Sequence, residues 1–251
     1  MRDQRNAELL KVIRQVHADS RSSYGSPRIH AELALGMGMV VNEKRVARLM
    51  RLDGLQGAFR RRGYTSLVHV ATEEDLVKRS FTAAAPDELW VADITEHSTA
   101  EGKVYGAGVL DVFSRKIVGW ASGKRQTSNL VIDAMSMAVA RRDAKPGQTV
   151  HHSDHGCQYT SWKFGNRLRK EGLVGSMGTV GDCYDNAMME SFWGTMQIEL
   201  LDTRKWETRA ELELAMFEWI ECWYNPKRRH SSLDMLSPND FEARYWRQQA
   251  T

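Results

Sequence analysis

Between Leu89 and Lys124 the chain reads as three β-strands in immediate succession, and this run limits the possible folds more than any other. "LWVADITEH" (89–97) alternates Trp90, Ala92 and Ile94 with Val91, Asp93 and Thr95. That is the period of two of a strand, with a carboxylate projecting from its less apolar face. "KVYGAGVLDVFSRKIVGWASGK" (103–124) holds two more strands around a tight turn at Phe113-Ser114-Arg115-Lys116, which predicts an antiparallel meander. Ser128 to Arg142 is helical by period, with Leu130, Ile132, Met135 and Val139 apolar. "QTVHHSD" predicts a fourth strand ending at Asp154, and Trp162 to Lys170 a second helix. Hairpin-linked strands, a helix, a strand and more helices describe an α/β unit.

What precedes this unit has a different character. Residues 1–70 hold 13 Lys/Arg against 6 Asp/Glu, whereas the remainder holds 22 against 26, so the basic excess lies at the N-terminus. Leu9, Val12, Ile13 and Val16 form one apolar helical face. Ser26-Pro27 reads as the N-cap and first residue of a second helix continued by Ile29 and Leu33. Asn42 can cap a third helix that turns Val46, Leu49 and Met50 inward and Lys44, Arg45, Arg48 and Arg51 outward, with Gly54 able to take the left-handed conformation at its end. A short helix, a turn and a basic helix can lay a recognition helix in a DNA groove while flanking charges hold phosphates. "FRRRGY" adds Arg60, Arg61 and Arg62. The expected organisation is a helix-turn-helix-like unit at 1–65, a turn-rich linker at 66–86 and a larger unit at 87–251. No run of eighteen apolar residues exists and Met1 to Arg5 lacks a signal-peptide character, so the expected location is cytoplasmic, without membrane partners. Cys157, Cys183 and Cys222 are odd in number and far apart, which fits reduced thiols.

"HHSDHGCQYT" (151–160) admits three chemistries. Zinc wants four ligands at short paired spacings, but His151 and His152 point to opposite faces of a strand and no second Cys/His pair follows. A Cys157 nucleophile has a possible base in His155 but no marked oxyanion hole. The third reading makes Asp154 the working residue. It draws on "GDCYDNAMMESFWGTMQIEL" (181–200), in which Met189, Phe192, Trp193, Met196 and Leu200 trace an apolar stripe with Glu190 at its flank. Asn186 and Gly194 lie one turn either side of Glu190. Asp93, Asp154 and Glu190 are then separated by sixty and thirty-five residues.

With these motifs in order, the chain resembles the catalytic, second-reading-frame (OrfB-type) transposase of bacterial insertion sequences, within the retroviral-integrase superfamily of DDE enzymes. "YGSPRIHAEL" resembles that family's helix-turn-helix region, "LWVADIT" its first aspartate, "VLDVFSRKIVGW" its second and third strands, "HSDHGCQY" its second aspartate, "YDNAMMESFWGTMQIEL" its glutamate helix and "YNPKRRHSSLDMLSP" (224–238) its C-terminal signature. The resemblance implies an RNase H-like, retroviral-integrase-type core with a mixed five-stranded sheet behind a small all-α domain. It implies Asp93, Asp154 and Glu190 as catalytic, metal-holding carboxylates. In-line phosphodiester displacement builds charge on attacking and leaving oxygens, which two divalent ions can stabilise at once. Hard carboxylates suit Mg²⁺, with Mn²⁺ able to substitute. By resemblance, water first exposes a 3′-hydroxyl at the element's end and that hydroxyl then attacks another phosphodiester. The implied partners are double-stranded DNA, as terminal repeats and target, a homo-oligomer assembled on DNA in the nucleoid, and an upstream-frame product paired or fused to this chain.

His152, His155 and Asn186 are expected to position substrate or support the ligands. Asp111 is expected to be structural, satisfying donors of the nearby turn. Residues 207–224 predict a further helix with Leu212, Met216, Trp219, Ile220 and Trp223 inward, followed by Lys227, Arg228 and Arg229 as phosphate contacts. Two other functions fit the same composition: a catalytically silent DNA-binding regulator derived from such an enzyme, and an RNase H-like structure-specific nuclease.

Overall fold

The computed structural model describes residues 2–58, 82–142, 144–154, 156–177 and 187–250, with the side chains of residues 2 and 3 left out. Arg60, Arg61, Arg62, His155, Asn186 and residues 66–81 of the linker lie outside the described residues.

Three helices open the chain: α1 (Arg2–Asp19), α2 (Ser26–Ala31), which runs into a π-helical turn (Glu32–Gly36), and α3 (Glu43–Leu52). The predicted stripes are the ones buried, with Ile13, Ile29, Leu33 and Val46 fully enclosed. Asn42 caps α3 by accepting the Lys44 N–H at 2.9 Å, and Gly54 after it has φ +72°. The start of α2 differs by one residue from expectation. Gly25 occupies the N-cap with an extended backbone and no side-chain cap, while Ser26 is already helical. The Ile29 N–H reaches the Gly25 carbonyl, so the helix closes its first turn one residue early.

The larger unit is a mixed sheet of β1 (Leu89–Thr99), β2 (Gly102–Asp111), β3 (Ile117–Gly123), β4 (Val150–Ser153) and β5 (Val174–Met177) in the order β3-β2-β1-β4-β5. β1, β2 and β3 pair antiparallel as the meander predicts, and β4 and β5 join in parallel. α4 (Ser128–Arg141) and α5 (Trp162–Lys170) cover one face through Trp90, Ala92, Met135 and Phe164. α6 (Ala187–Glu199) and α7 (Arg209–Phe217) cover the other through Val91, Met189, Met196 and Met216. α7 passes into a π-helical stretch (Glu218–Tyr224), and the five apolar residues predicted for this segment are all buried.

Asp111 is structural, as expected, and satisfies donors of the turn. Its carboxylate accepts the Ser114 N–H and hydroxyl at 2.9 and 2.6 Å and the Asp87 N–H at 2.9 Å. The sheet has the five strands expected, but two elements were not located by their sequence pattern. β5 is too short for its alternation to register, and α8 (Pro238–Gln249) buries only Pro238 and Glu242, so its stripe is faint. α8 is held by Glu242, which accepts Arg142 at 2.6 Å while Arg142 also grips Asp87 at 2.8 Å.

The helical unit is not an isolated bead, since its apolar residues belong to the same cluster as those of the α6 side of the sheet. The Tyr24 hydroxyl accepts the Arg229 N–H at 2.6 Å, its ring meets Trp223 with centroids 5.5 Å apart, and Arg229 donates to Glu32 at 2.7 Å. No described helix is long and apolar enough to cross a membrane.

Candidate active site

The site is assembled where β1 outruns its parallel neighbour. Ala92 pairs with Ser153, so the chain leaves β4 with Asp154 beside Asp93 in the middle of β1. Asp154 is exposed there, and its Oδ1 accepts the Gly156 N–H at 3.1 Å, turning the chain away from the sheet. A Cβ on Gly156 would lie 3.0 Å from that same oxygen, so glycine gives the carboxylate its room.

Asp93 is opposite Gly108 on β2. A Cβ at Gly108 would come within 3.1 Å of Met189 and Trp193, which shows how closely α6 approaches this column of the sheet. The close approach delivers Glu190, in the first turn of α6 and exposed, to the same region, while Met189 and Phe192 beside it are buried. Each large apolar side chain of that stripe contributes roughly 1.5–3 kcal/mol to holding the helix in place.

The Asp93 carboxyl lies within the electrostatic reach of both other carboxylates. Burial, and then the negative charges of Asp154 and Glu190, push the Asp93 carboxyl up to about 7. The Ile94 N–H and the Trp193 indole favour its charged form, although the indole N–H makes no hydrogen bond by strict geometry. Among the described residues the buried Tyr159 hydroxyl has no hydrogen-bond partner, and burial followed by the charges of Asp93 and Asp154 holds its pKa well above the usual value. A buried donor left unpaired beside two carboxylates costs about 1–3 kcal/mol. Sequence reasoning did not single out Tyr159, and only its place in "HSDHGCQY" marked it.

These residues fit a divalent cation. The donor set is hard oxygen, suited to Mg²⁺ or Mn²⁺, and the mutual repulsion of the carboxylates is what a positive ion relieves. Among the described residues no three His, Cys, Asp or Glu side chains are gathered closely enough to enclose an ion.

The histidines separate as their strand positions require. His151 faces α5, its ring packed against Phe164 with centroids 5.4 Å apart, and among the described residues neither ring nitrogen has a hydrogen-bond partner beyond its own backbone. Its pKa is lowered to about 4, chiefly by burial. His152 lies on the Asp154 side, buried, with Nδ1 at 3.0 Å from Ser176 Oγ. Cys157 is exposed.

Of the expected DNA contacts, Lys44, Arg48 and Arg51 are exposed on α3, as predicted. Arg45 is half-buried and donates to Asn6 at 2.9 and 3.1 Å, so it braces α1. Arg228 and Arg229 depart from expectation. Arg228 is 4% exposed and makes a two-pronged pair with Glu199 at 2.7 and 2.9 Å, and Arg229 is buried against Glu32. A guanidinium satisfied inside the protein is not offered to phosphate, which leaves Lys227 as the exposed charge of that trio.

Comparison with known proteins agrees with this architecture. An HTH-like domain family matches residues 4–63, and integrase core domain families match 83–183 and 171–238. The transposase of insertion sequence element IS904 from Lactococcus lactis subsp. lactis (strain IL1403) is 40% identical over 237 residues, 93% of each chain. The transposase of IS629 from Shigella sonnei is 39% identical, covering 98% of this chain and 82% of its own. Transposase InsF of IS3A from Escherichia coli (strain K12) is 36% identical over 92% and 81%. The cryo-EM structure of the simian T-cell lymphotropic virus intasome with PP2A regulatory subunit B56 gamma shares the fold, with a TM-score of 0.52 and 13% identity over 91% of this chain and 73% of that one. A helical unit ahead of a mixed sheet with converging carboxylates, and relatives of this identity along nearly the whole length, establish that the chain belongs to the insertion-sequence transposases, DDE-type polynucleotidyl transferases with an integrase core.

Proposed function

We propose that Asp93, Asp154 and Glu190 are the carboxylates with which this transposase cuts and joins DNA at the ends of its element, holding two Mg²⁺ or Mn²⁺ ions. The observation that supports the assignment is the strand register, Ala92 opposite Ser153, which sets Asp154 beside Asp93, with α6 packed over Gly108 opposite Asp93; burial first, and then the charges of Asp154 and Glu190, raise the Asp93 pKa to about 7. When bound, the ions supply charge stabilisation for the attacking and leaving oxygens of an in-line phosphodiester displacement.

The protein's part is placement. β1 and β4 hold Asp93 and Asp154 side by side on a rigid sheet, and the packed α6 brings Glu190 to them, which is the kind of scaffold that keeps catalytic groups within fractions of an ångström. The Gly156 N–H orients Asp154, and Trp193 and Met189 pack over Gly108, the residue opposite Asp93. The first attack is by water and the second by the 3′-hydroxyl that the first exposes. The helical unit, with Lys44, Arg48 and Arg51 outward, holds double-stranded DNA of the terminal repeats, and the chain works as an oligomer on that DNA with an upstream-frame partner.

Asp93→Asn, Asp154→Asn and Glu190→Gln each remove a charge and little volume. Each is expected to abolish strand cleavage and joining, by several orders of magnitude, while leaving DNA affinity largely unchanged. Activity is expected to require Mg²⁺ or Mn²⁺ and to survive Cys157→Ser. Joining near the wild-type rate by any one carboxylate variant removes that residue from the triad. Cleavage in excess chelator returns the site to the thiol reading.

A further inference from the structure

A cavity of about 130 Å³ opens beside α6, several times the space one water needs, at the junction of the helical unit, the β2–β3 turn, α6 and the segment after Tyr224. Three guanidiniums line it, from Arg28, Arg115 and Arg228, together with the hydroxyls of Ser191 and Thr195 and the ring of His230. Among the described residues no acidic side chain lines it. Arg228 is already matched by Glu199. Among the described residues Arg28 and Arg115 have no ion pair, and the Arg28 guanidinium stands over the Tyr24 ring at 5.8 Å. Half-buried cations without anions are costly, since burial opposes their charge. That cost is visible in both, whose pKa is lowered mainly by desolvation. His230 is held well below its ordinary value by burial and then by Arg228, Arg28 and Arg115, so all three cations act on one point.

The backbone adds an independent observation. Arg115 sits at φ +60° in the turn, a conformation that glycine would adopt without strain. The turn is braced around it: its N–H donates to the Asp111 carbonyl at 2.8 Å and its own carbonyl accepts the Tyr224 hydroxyl at 3.1 Å. Strained positions held by their surroundings cluster at functional sites. Here the residue held in that conformation is one that lines the cavity.

We propose that this cavity is a phosphate-binding site in which Arg28 and Arg115, assisted by the Ser191 hydroxyl, grip one phosphodiester of the DNA strand that runs into the carboxylate site, while the Thr195 hydroxyl is spent on the Ser191 carbonyl at 2.8 Å. Ser191 follows Glu190 directly on α6, and Thr195 lies one turn further on, so a strand leaving the carboxylates along this helix meets the cavity next. Two guanidiniums on one phosphate match the geometry of charge-assisted anion recognition. Because Arg28 comes from the helical unit and Arg115 from the sheet, a bound phosphate ties the DNA-holding and DNA-cutting parts of the molecule together. The identity of the strand rests on the function proposed above; the cationic cavity does not.

The test is fluorescence anisotropy with a labelled double-stranded oligonucleotide of mixed sequence, using the full chain at several salt concentrations. For the double variant Arg28→Gln, Arg115→Gln, the slope of log affinity against log salt is expected to fall by about 0.9, one phosphate's worth rather than two, and affinity at low salt to fall roughly tenfold or more. Ser191→Glu, a change at an exposed position that adds a like charge to the phosphate's own, is expected to give the same loss without disturbing the fold. Unchanged slope and affinity in both variants, with the wild type binding DNA, overturns the site. A wild type that shows no salt-dependent DNA binding overturns the function proposed above instead. Calorimetry with inorganic phosphate separates the other source of the anion: saturable binding that the double variant abolishes while its DNA slope stays intact assigns the cavity to a free anion and overturns its role on DNA.

Discussion

Glu199→Gln should be among the most destabilising single substitutions in this protein. Glu199 ends α6 and faces Arg228, with side chains only 4% and 5% exposed. The guanidinium meets the carboxylate through Nε and Nη2, at 2.9 and 2.7 Å, so both charges are matched in geometry as well as sign. Removing the carboxylate's charge strands Arg228 in an interior it cannot leave, with His230 as its nearest other polar neighbour at 3.4 Å. Breaking a buried pair from one side costs about 3–5 kcal/mol, a large share of the roughly 5–15 kcal/mol that holds a domain folded. The reciprocal change Arg228→Met leaves a buried carboxylate and should cost a similar amount. Removing both, as Glu199→Leu with Arg228→Met, takes away two desolvated charges together and is expected to recover most of the loss, because apolar replacement of a whole buried pair is often neutral. Urea unfolding of the wild type, both single variants and the double closes the cycle. The shared apolar cluster of the helical unit and sheet supports one cooperative transition. Single variants within about 1 kcal/mol of wild type, or a double whose loss is the sum of the singles, would refute the reasoning and reduce the pair to a surface-like contact.

Other outcomes follow from the same packing of charges. Replacing Lys44, Arg48 and Arg51 with glutamine should lower the salt slope of DNA binding by roughly 0.9 for each phosphate no longer neutralised, whereas Arg45→Gln should act on stability through Asn6; equal effects of all four on the slope would contradict this division. His151 titrates at about 4 inside the protein against 6.5 outside, so the unfolded chain takes up its proton first; stability present above pH 6.5 is lost as pH falls toward 4, by roughly 3 kcal/mol. His151→Phe should flatten that part of the stability profile, and an unchanged profile would show that the ring is not the titrating group. Asn225 donates to the Ile117 carbonyl and accepts the Ile117 N–H, both at 2.9 Å, in a buried position; Asn225→Leu should cost about 2–4 kcal/mol in urea unfolding, and a cost below about 1 would mean water replaces the amide.

Much of the molecule is legible in the amino-acid order, for a local reason. The alternation of Trp90, Ala92 and Ile94 against Val91, Asp93 and Thr95, and the stripe from Met189 to Leu200, are periodicities within ten or twenty residues, and each element's period states which side is buried. The proposed carboxylates Asp93, Asp154 and Glu190 each lie at a definite place on such an element: mid-strand, strand end and helix flank. Short or polar elements leave no such trace, which is why β5 and α8 escape a reading of the sequence.

What the tertiary structure alone decided is the partnership of charges. Arg228 and Arg229 look in sequence like any solvated basic run, and only the approach of Glu199 and Glu32 makes them internal struts. Arg28 and Arg115, on different elements with no shared periodicity, become one cationic cavity because α2 packs beside the β2–β3 turn. The physical reason is that burial of an apolar side chain is encoded in its own element's pattern, whereas the fate of a charge depends on which opposite charge folding brings within a few ångströms, and Coulomb energy at that range is set by distance and dielectric rather than by sequence spacing.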